Sequence, residues 1–328
     1  MDKITCNCIN KKNSKNKIIK LKRPKNGCLT AKCFTGIFKN IFFKRYNVIT
    51  ISLPSSIIKI ADRPFYQFKH SLKSIKINSE LDYNWAFFKL EKLEKVLGFD
   101  QIKKIGNNAF NGCIRLNSID TKNVEKIGNN AFNSCRMLKQ TDLMNVKTIG
   151  EKAFFHSGLT AVKAPNLTKA ADMAFSNCQN LESVQMDKIT HIFNGCFSND
   201  FKLKNINLPL AVIIGNTAFK NCDLSSFNIN EGVKEIGIEA FDGSNLTTIS
   251  LLHLKKIGNN ALNSNCLEKV NCSKEKAYDI FSSTLNMPIK AFDCHCAAII
   301  TKKKETLKIE DKNKKDRLLI KKRLYRCS

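Results

Sequence analysis

A phenylalanine returns every 21 to 23 residues through most of this chain: Phe65, Phe87, Phe110, Phe132, Phe154, Phe175, Phe197, Phe219 and Phe241, with Leu262 in the tenth place. So regular a period implies a stacked array of coils rather than a globular enzyme domain, because one unit of about 22 residues cannot bury a core by itself. Function then has to be sought on a surface and not in a pocket.

Each unit reads in three parts. The first is Leu-x-x-Ile-x-Leu, as in Leu72/Ile75/Ile77, Leu138/Thr141/Leu143, Leu181/Val184/Met186, Leu203/Ile206/Leu208 and Leu246/Ile249/Leu251, and its alternation predicts a strand with one buried side. A second apolar pair runs into Ile-Gly at Val146/Ile149/Gly150, Val233/Ile236/Gly237 and Leu254/Ile257/Gly258. An Ala-Phe turn follows, commonly with a cysteine three residues on, at Cys113, Cys135, Cys178 and Cys222. Stacking would seat each Leu, Ile and Phe on its copy in the next coil, with rungs about 4.8 Å apart, so ten coils should extend on the order of 45 Å. The glycine marks a place where a side chain would collide or where φ must be positive, and the sequence leaves both open. Local irregularity or a bend is expected where Asp82-Tyr83, Ala170-Ala171 and Ile192-Phe193 replace Ile-Gly.

The array is read over 48–272. Upstream, Phe34, Ile37, Phe38, Ile41 and Phe42 fall at helical spacing beside Lys39, Lys44 and Arg45, which predicts an amphipathic cap helix over 33–47. Such a helix could also lie on an anionic membrane. Residues 1–32 read as a basic mobile arm. Past 272 the period breaks: Ala277, Ile280, Phe281 and Leu285 share a helical face, Pro288 ends it, and Ile289 to Phe292 reads as a last strand. Residues 273–296 are therefore expected to close the stack, and 297–328 form a basic tail.

Lys and Arg number 55 against 28 Asp and Glu, for a net charge of +27. The excess is concentrated at the ends: 1–46 hold 13 basic residues and 1 acidic, and 302–328 hold 12 basic and 4 acidic. These termini are candidates for an acidic partner, nucleic acid or an anionic membrane. No apolar run is long enough to span a bilayer, and no export signal is visible after Met1-Asp2-Lys3. Fourteen cysteines then read as reduced thiols, and the protein as intracellular, in cytoplasm or nucleus, with the cell surface by an unseen route as the alternative.

The run Ile-Gly-x-x-Ala-Phe-x-x-Cys-x-x-Leu-x-x-Ile, intact at Ile105–Ile119, resembles the BspA-like leucine-rich repeat. The resemblance spans about 48–272. It implies a repeat solenoid, β-rich with short turns or helical segments and capped at both ends. In that family such arrays are non-catalytic binding surfaces, often displayed on cell surfaces and linked to adhesion.

Candidate chemistry is sparse. His70, His156, His191, His253 and His295 are scattered, and neither a nucleophile elbow nor a phosphate-cradling loop occurs. Cys294, His295 and Cys296 form the most metal-like cluster, but Cys-x-Cys is tighter than usual zinc spacing. No cofactor and no enzymatic activity are expected. The repeated cysteines should pack as small buried groups.

The binding surface read from the pattern is the row of outward residues between the strand leucines. It comprises Lys73, Lys76, Asn117, Asp120, Lys139, Asp142 and Lys163, with Ser74 beside Lys73, continuing through Glu182, Gln185, Lys204, Asn207, Asn228, Ser250 and Asn271. This face is polar and of mixed charge, without a continuous basic stripe or aromatic anchors. The resulting reading is a non-enzymatic scaffold meeting a protein partner through the strand face. Its alternatives are basic termini that bind nucleic acid or membrane with the repeats as spacer, and a cell-surface adhesin.

Overall fold

The computed structural model describes residues 49–53, 62–77, 83–98, 101–225, 232–264, 266–283, 291–292 and 294–324, together with strands at Thr5–Cys6, Cys28–Ala31, Gly36–Phe38 and Ile57–Ile60. The chain is a parallel β-solenoid of about nine turns with little helix in the coils, as a leucine-rich-repeat array should be.

Two ladders of short parallel strands run along the stack. The first face begins as a six-stranded sheet in chain order: Thr5–Cys6, Cys28–Ala31, Thr50–Ser52, Ser74–Lys76, Lys95–Leu97 and Ser118–Ile119. It resumes as Ala161–Lys163, Ser183–Gln185 and Asn205–Asn207, and again as Thr248–Leu251 beside Lys269–Cys272. The ladder lapses at 138–143, where Thr141 occupies the slot that Ile or Val fills in the other described coils. One coil earlier Thr121 replaces the last leucine, and its buried hydroxyl lies 2.7 Å from that of Thr141.

The second face is an unbroken eight-stranded sheet built on the residues before Ile-Gly. Its strands are Lys104–Ile105, Lys126–Ile127, Thr148–Ile149, Lys169–Ala170, His191–Ile192, Ile213–Ile214, Glu235–Ile236 and Lys256–Ile257. Register is kept through the departures from the pattern. Ala170 pairs with Ile149 and Ile192, and Ile192 pairs with Ile214. Tyr83 in the glycine's place is fully buried and stacks on Phe87 at 5.6 Å.

Between the sheets lies one apolar spine. The nine phenylalanines from Phe65 to Phe241 are buried, with neighbouring ring centroids 4.9 to 5.7 Å apart and planes within 15° of parallel. This offset stacking adds to the large area each ring removes from water. Leu262 is buried at the tenth place.

The turn around each phenylalanine explains the rest of the phrase. Positive φ recurs two residues before it (Asn108, Asn130, Lys152, Met173, Thr217, Glu239) and two after it (Gly112, Ser134, His156, Asn177, Asn199, Asn221). Asparagine is common at both places because it tolerates the left-handed region best among side-chain-bearing residues. The glycine of Ile-Gly is a different case. A Cβ on Gly128 would sit 2.7 Å from the backbone nitrogen of Asn107, and one on Gly106 would sit 2.5 Å from that of Asn84, so collision and not φ dictates glycine there.

That close approach comes with a side-chain ladder. Asn84 Oδ1 accepts the Asn107 N–H at 2.6 Å, Asn107 Oδ1 that of Asn129 at 2.8 Å, and Asn129 Oδ1 that of Glu151 at 3.0 Å. After Glu151 it restarts at Asp172, Asn194 and Asn216, the last accepting from Ile238 at 2.8 Å.

The ends differ from expectation. Gly36–Phe38 is a strand paired in parallel with Ile57–Ile60, where a helix over 33–47 was expected. Three apolar residues in five suit either period, and here a neighbouring strand supplies the partner. The rest of 33–47 lies outside the described residues, as does most of the basic arm over 1–32. Cys28–Ala31, within that arm, pairs with Thr50–Ser52. At the other end α1 (Ala277–Ser282) buries Ala277 and Ile280, and Phe292 bridges in parallel to Val270. The helix α2 (Cys294–Leu324) runs 31 residues; it buries Cys296 and Ile300 against the stack and then exposes nearly all of its described side chains.

Candidate interaction surfaces

The strand-face row falls where the pattern places it. Lys73, Lys76, Asn117, Asp120, Lys139, Asp142, Lys163, Glu182, Lys204, Asn207 and Asn271 are exposed, while Gln185 and Ser250 are half-buried. Asn228 lies outside the described residues. Ser74, expected beside Lys73 on the outer row, is buried. The parallel register aligns the row coil by coil: Ala161 faces Ser183 and then Asn205, and Lys163 faces Gln185 and then Asn207. On this face the described charges are seven lysines (73, 76, 95, 139, 163, 204, 269) and five carboxylates (94, 120, 142, 182, 268), most of them exposed. Lys204 reaches Asp223 at 3.3 Å, a pair in which the lysine is exposed and the carboxylate half-buried, so screening weakens it.

The second sheet face was not singled out from the sequence. Its outward residues include eight exposed lysines, Lys103, Lys104, Lys126, Lys147, Lys169, Lys234, Lys255 and Lys256, against two glutamates, Glu125 and Glu235. The signal was present in the lysine that precedes Ile or Ala at Lys104, Lys126, Lys169 and Lys256; hydrophobic periodicity passes over it. Lys147 Nζ meets Glu125 Oε2 at 2.7 Å, and the Glu125 carboxyl is held below its usual range by Lys147, with Lys103 and Lys126 adding to the pull. A shallow groove here is lined by Gln101, Lys103, Asn123, Glu125, Asn145 and Lys147.

A third feature lies on the turns of the early coils. Arg63 sits over Trp85 and Phe88, at 4.6 and 4.5 Å from their centroids, and Tyr66 stacks beside Phe88 at 6.5 Å. These aromatics are the anchors that the strand face lacks.

The cysteine column is internal. Cys113, Cys135, Cys178 and Cys222 are buried free thiols, and each donates to the carbonyl of the preceding coil's phenylalanine, at 2.9, 3.2, 3.1 and 3.0 Å. Burial pushes their thiols well above the ordinary value, which keeps them protonated and unreactive. Asp200 stands in the same column, fully buried, with Oδ1 accepting the Cys178 N–H at 2.7 Å and Oδ2 unpartnered. Burial raises its carboxyl well above the usual range. Of the weak metal candidate, Cys296 is buried with its thiol 3.9 Å from the Cys272 carbonyl; the side chains of Cys294 and His295 lie outside the described residues.

These features are those of one repeat family. The sequence pattern of the BspA type leucine-rich repeat region matches residues 35–145, 125–213 and 212–288, in six copies. The chain belongs to that family. No curated protein matches it in sequence.

Several solved structures are similar to the BspA-type chain. A leucine-rich repeat protein from Bacteroides ovatus is 20% identical over 70% of this chain and 64% of its own, with a TM-score of 0.48, so this chain spans just under two thirds of that protein's length. A leucine rich cell surface protein from Faecalibacterium prausnitzii is 18% identical over 78% of this chain and 92% of its own, at 0.31. The pneumococcal vaccine antigen PcpA is 18% identical over 84% of this chain and 82% of its own, at 0.41. The expectation of an intracellular location is therefore corrected: the family is BspA-type, and the structures similar to this one include a protein described as a cell surface protein and one described as a vaccine antigen. The expectation rested on the opening residues, which carry no such information about the family. Among the described residues no helix is long and apolar enough to cross a membrane.

Proposed function

We propose that this chain is a surface-displayed, adhesin-like binding protein that meets a protein partner through its first sheet face, without catalysis. The observation that carries this reading is the coil-by-coil alignment of outward polar residues on that face, such as Lys163, Gln185 and Asn207, in fixed parallel register. A backbone ladder holds these side chains in a flat row, so recognition needs no pocket and costs little reordering on binding. Membership in a family of binding arrays supports the same reading. The organisation proposed with it is an array over 48–272 closed by 273–296, with basic ends that add long-range attraction to an acidic partner.

The test is binding of the purified chain to intact cells and to extracellular matrix proteins. Reversing Asp120, Asp142, Lys163 and Lys204 in charge should abolish capture while the fold persists by circular dichroism. Unchanged capture would refute the strand-face reading, and protection of the protein from added protease on intact source cells would refute the surface placement.

A further inference from the structure

We propose that the N-terminal half of the second sheet face docks a linear sulfated polysaccharide, laid along the coil stack over Lys103, Lys104, Lys126, Lys147 and Lys169. The inference does not rest on the first-face reading, since it concerns a separate sheet.

All five lysines are exposed and lie on consecutive rungs. Register sets Lys104 directly against Lys126. Like charges facing each other across a rung destabilise a sheet, and an anionic chain along the stack converts that repulsion into attraction. Glu125 is the one acidic side chain among them on these rungs, and it is paired with Lys147 at 2.7 Å. Positive charge therefore exceeds negative locally, whereas the first face nearly balances.

The type of residue narrows the ligand. Lysine is a compact point charge with rotatable donors and suits sulfates spread along a flexible chain; planar bidentate recognition would call for arginine. Single-stranded nucleic acid needs a run of aromatic platforms for its bases, and among the described residues beside these lysines the structure places only the end-of-row pair His191 and Phe193, the latter under the Lys169 ammonium at 5.8 Å. Sequence readout of a duplex would need an element that enters a groove, and the face is a ladder of two-residue strands. A repeat of about 4.8 Å between coils offers charge at intervals along one line, as a linear polyanion presents it.

The experiment compares two variants of the full chain that lose equal charge from different faces. One carries Lys103→Gln, Lys126→Gln, Lys147→Gln and Lys169→Gln; the other carries Lys76→Gln, Lys139→Gln, Lys163→Gln and Lys204→Gln. Each is titrated with a heparin oligosaccharide over a range of salt, with neutral dextran and a single-stranded oligonucleotide of matched charge as comparison ligands. The second-face variant should bind heparin about tenfold or more weakly at physiological salt, with a salt dependence shallower by roughly one counterion per lysine removed. The first-face variant should stay within about twofold of the parent, and dextran should not bind. Equal losses in both variants would assign the binding to bulk charge or to the termini and overturn the proposal. So would heparin binding untouched by the second-face substitutions, or tighter binding of the oligonucleotide than of heparin.

Discussion

The Cys135 thiol donates to the Phe110 carbonyl one coil earlier, at 3.2 Å, so the cysteine column also satisfies the backbone beside the aromatic spine. A thiol held this way, buried and protonated, should not react. Peptide-resolved labelling of the native protein should modify exposed Cys266 and spare Cys113, Cys135, Cys178 and Cys222 until unfolding. Replacing Cys135 by Ala should cost about 1 kcal/mol, since it removes a buried thiol and its hydrogen bond while the Phe110 carbonyl keeps the Cys113 N–H at 3.0 Å. Fast labelling of the column in native buffer would contradict this.

The spine itself should be more costly to breach. Phe132→Ala removes a fully buried ring that stacks on Phe110 at 5.3 Å and Phe154 at 5.1 Å. A loss of about 3–5 kcal/mol is expected in denaturant unfolding, with cooperativity reduced because each coil touches only its neighbours. A loss under about 1 kcal/mol would place the ring outside the core.

Gly128→Ala and Asn107→Ala probe the same contact from its two sides. The added methyl meets the Asn107 backbone at 2.7 Å, and backbone cannot step aside as a side chain can, so about 3 kcal/mol should be lost. Asn107→Ala removes only the acceptor for the Asn129 N–H, worth about 1 kcal/mol. The two should couple in a double-mutant cycle; additive losses would mean that the ladder and the close approach are independent.

Asp200 gives the fold a pH-dependent contribution. Its folded carboxyl titrates above its unfolded value because it is buried, so the protonated form favours the fold. That contribution is full below the unfolded value and is lost as pH rises through the raised folded one. The parent's denaturation midpoint should therefore fall between about pH 4 and pH 7 more steeply than that of Asp200→Cys, which restores the column's usual residue. Identical pH profiles would show the carboxyl to be solvated.

Much of this was readable in advance, and the reason is the period. Phe110, Phe132 and Phe154 recur at one spacing, and only stacking buries them all. The choice between collision and positive φ at Gly128 was not readable, because both demand glycine; the geometry assigns collision there and positive φ to Lys152, Met173 and Glu239, residues that give no hint of it. Phe34 to Phe42 fitted a helix as well as a strand, and the strand at Gly36–Phe38 depends on a partner distant in sequence. On the first face, alternation placed Lys139 and Asp142 outward correctly but set Ser74 outside when it packs inward. The second-face lysines escaped notice because an apolar pattern records what is buried and ignores what stands opposite.

The most direct test of the stacked-coil account is a pulsed electron-spin distance between labels introduced as noncanonical residues at exposed Lys104 and Lys256. These ends of the second sheet are seven rungs apart, so the account predicts a single narrow distribution near 34 Å, at about 4.8 Å per rung. A mean below about half that value, or no defined distance at all, would contradict it.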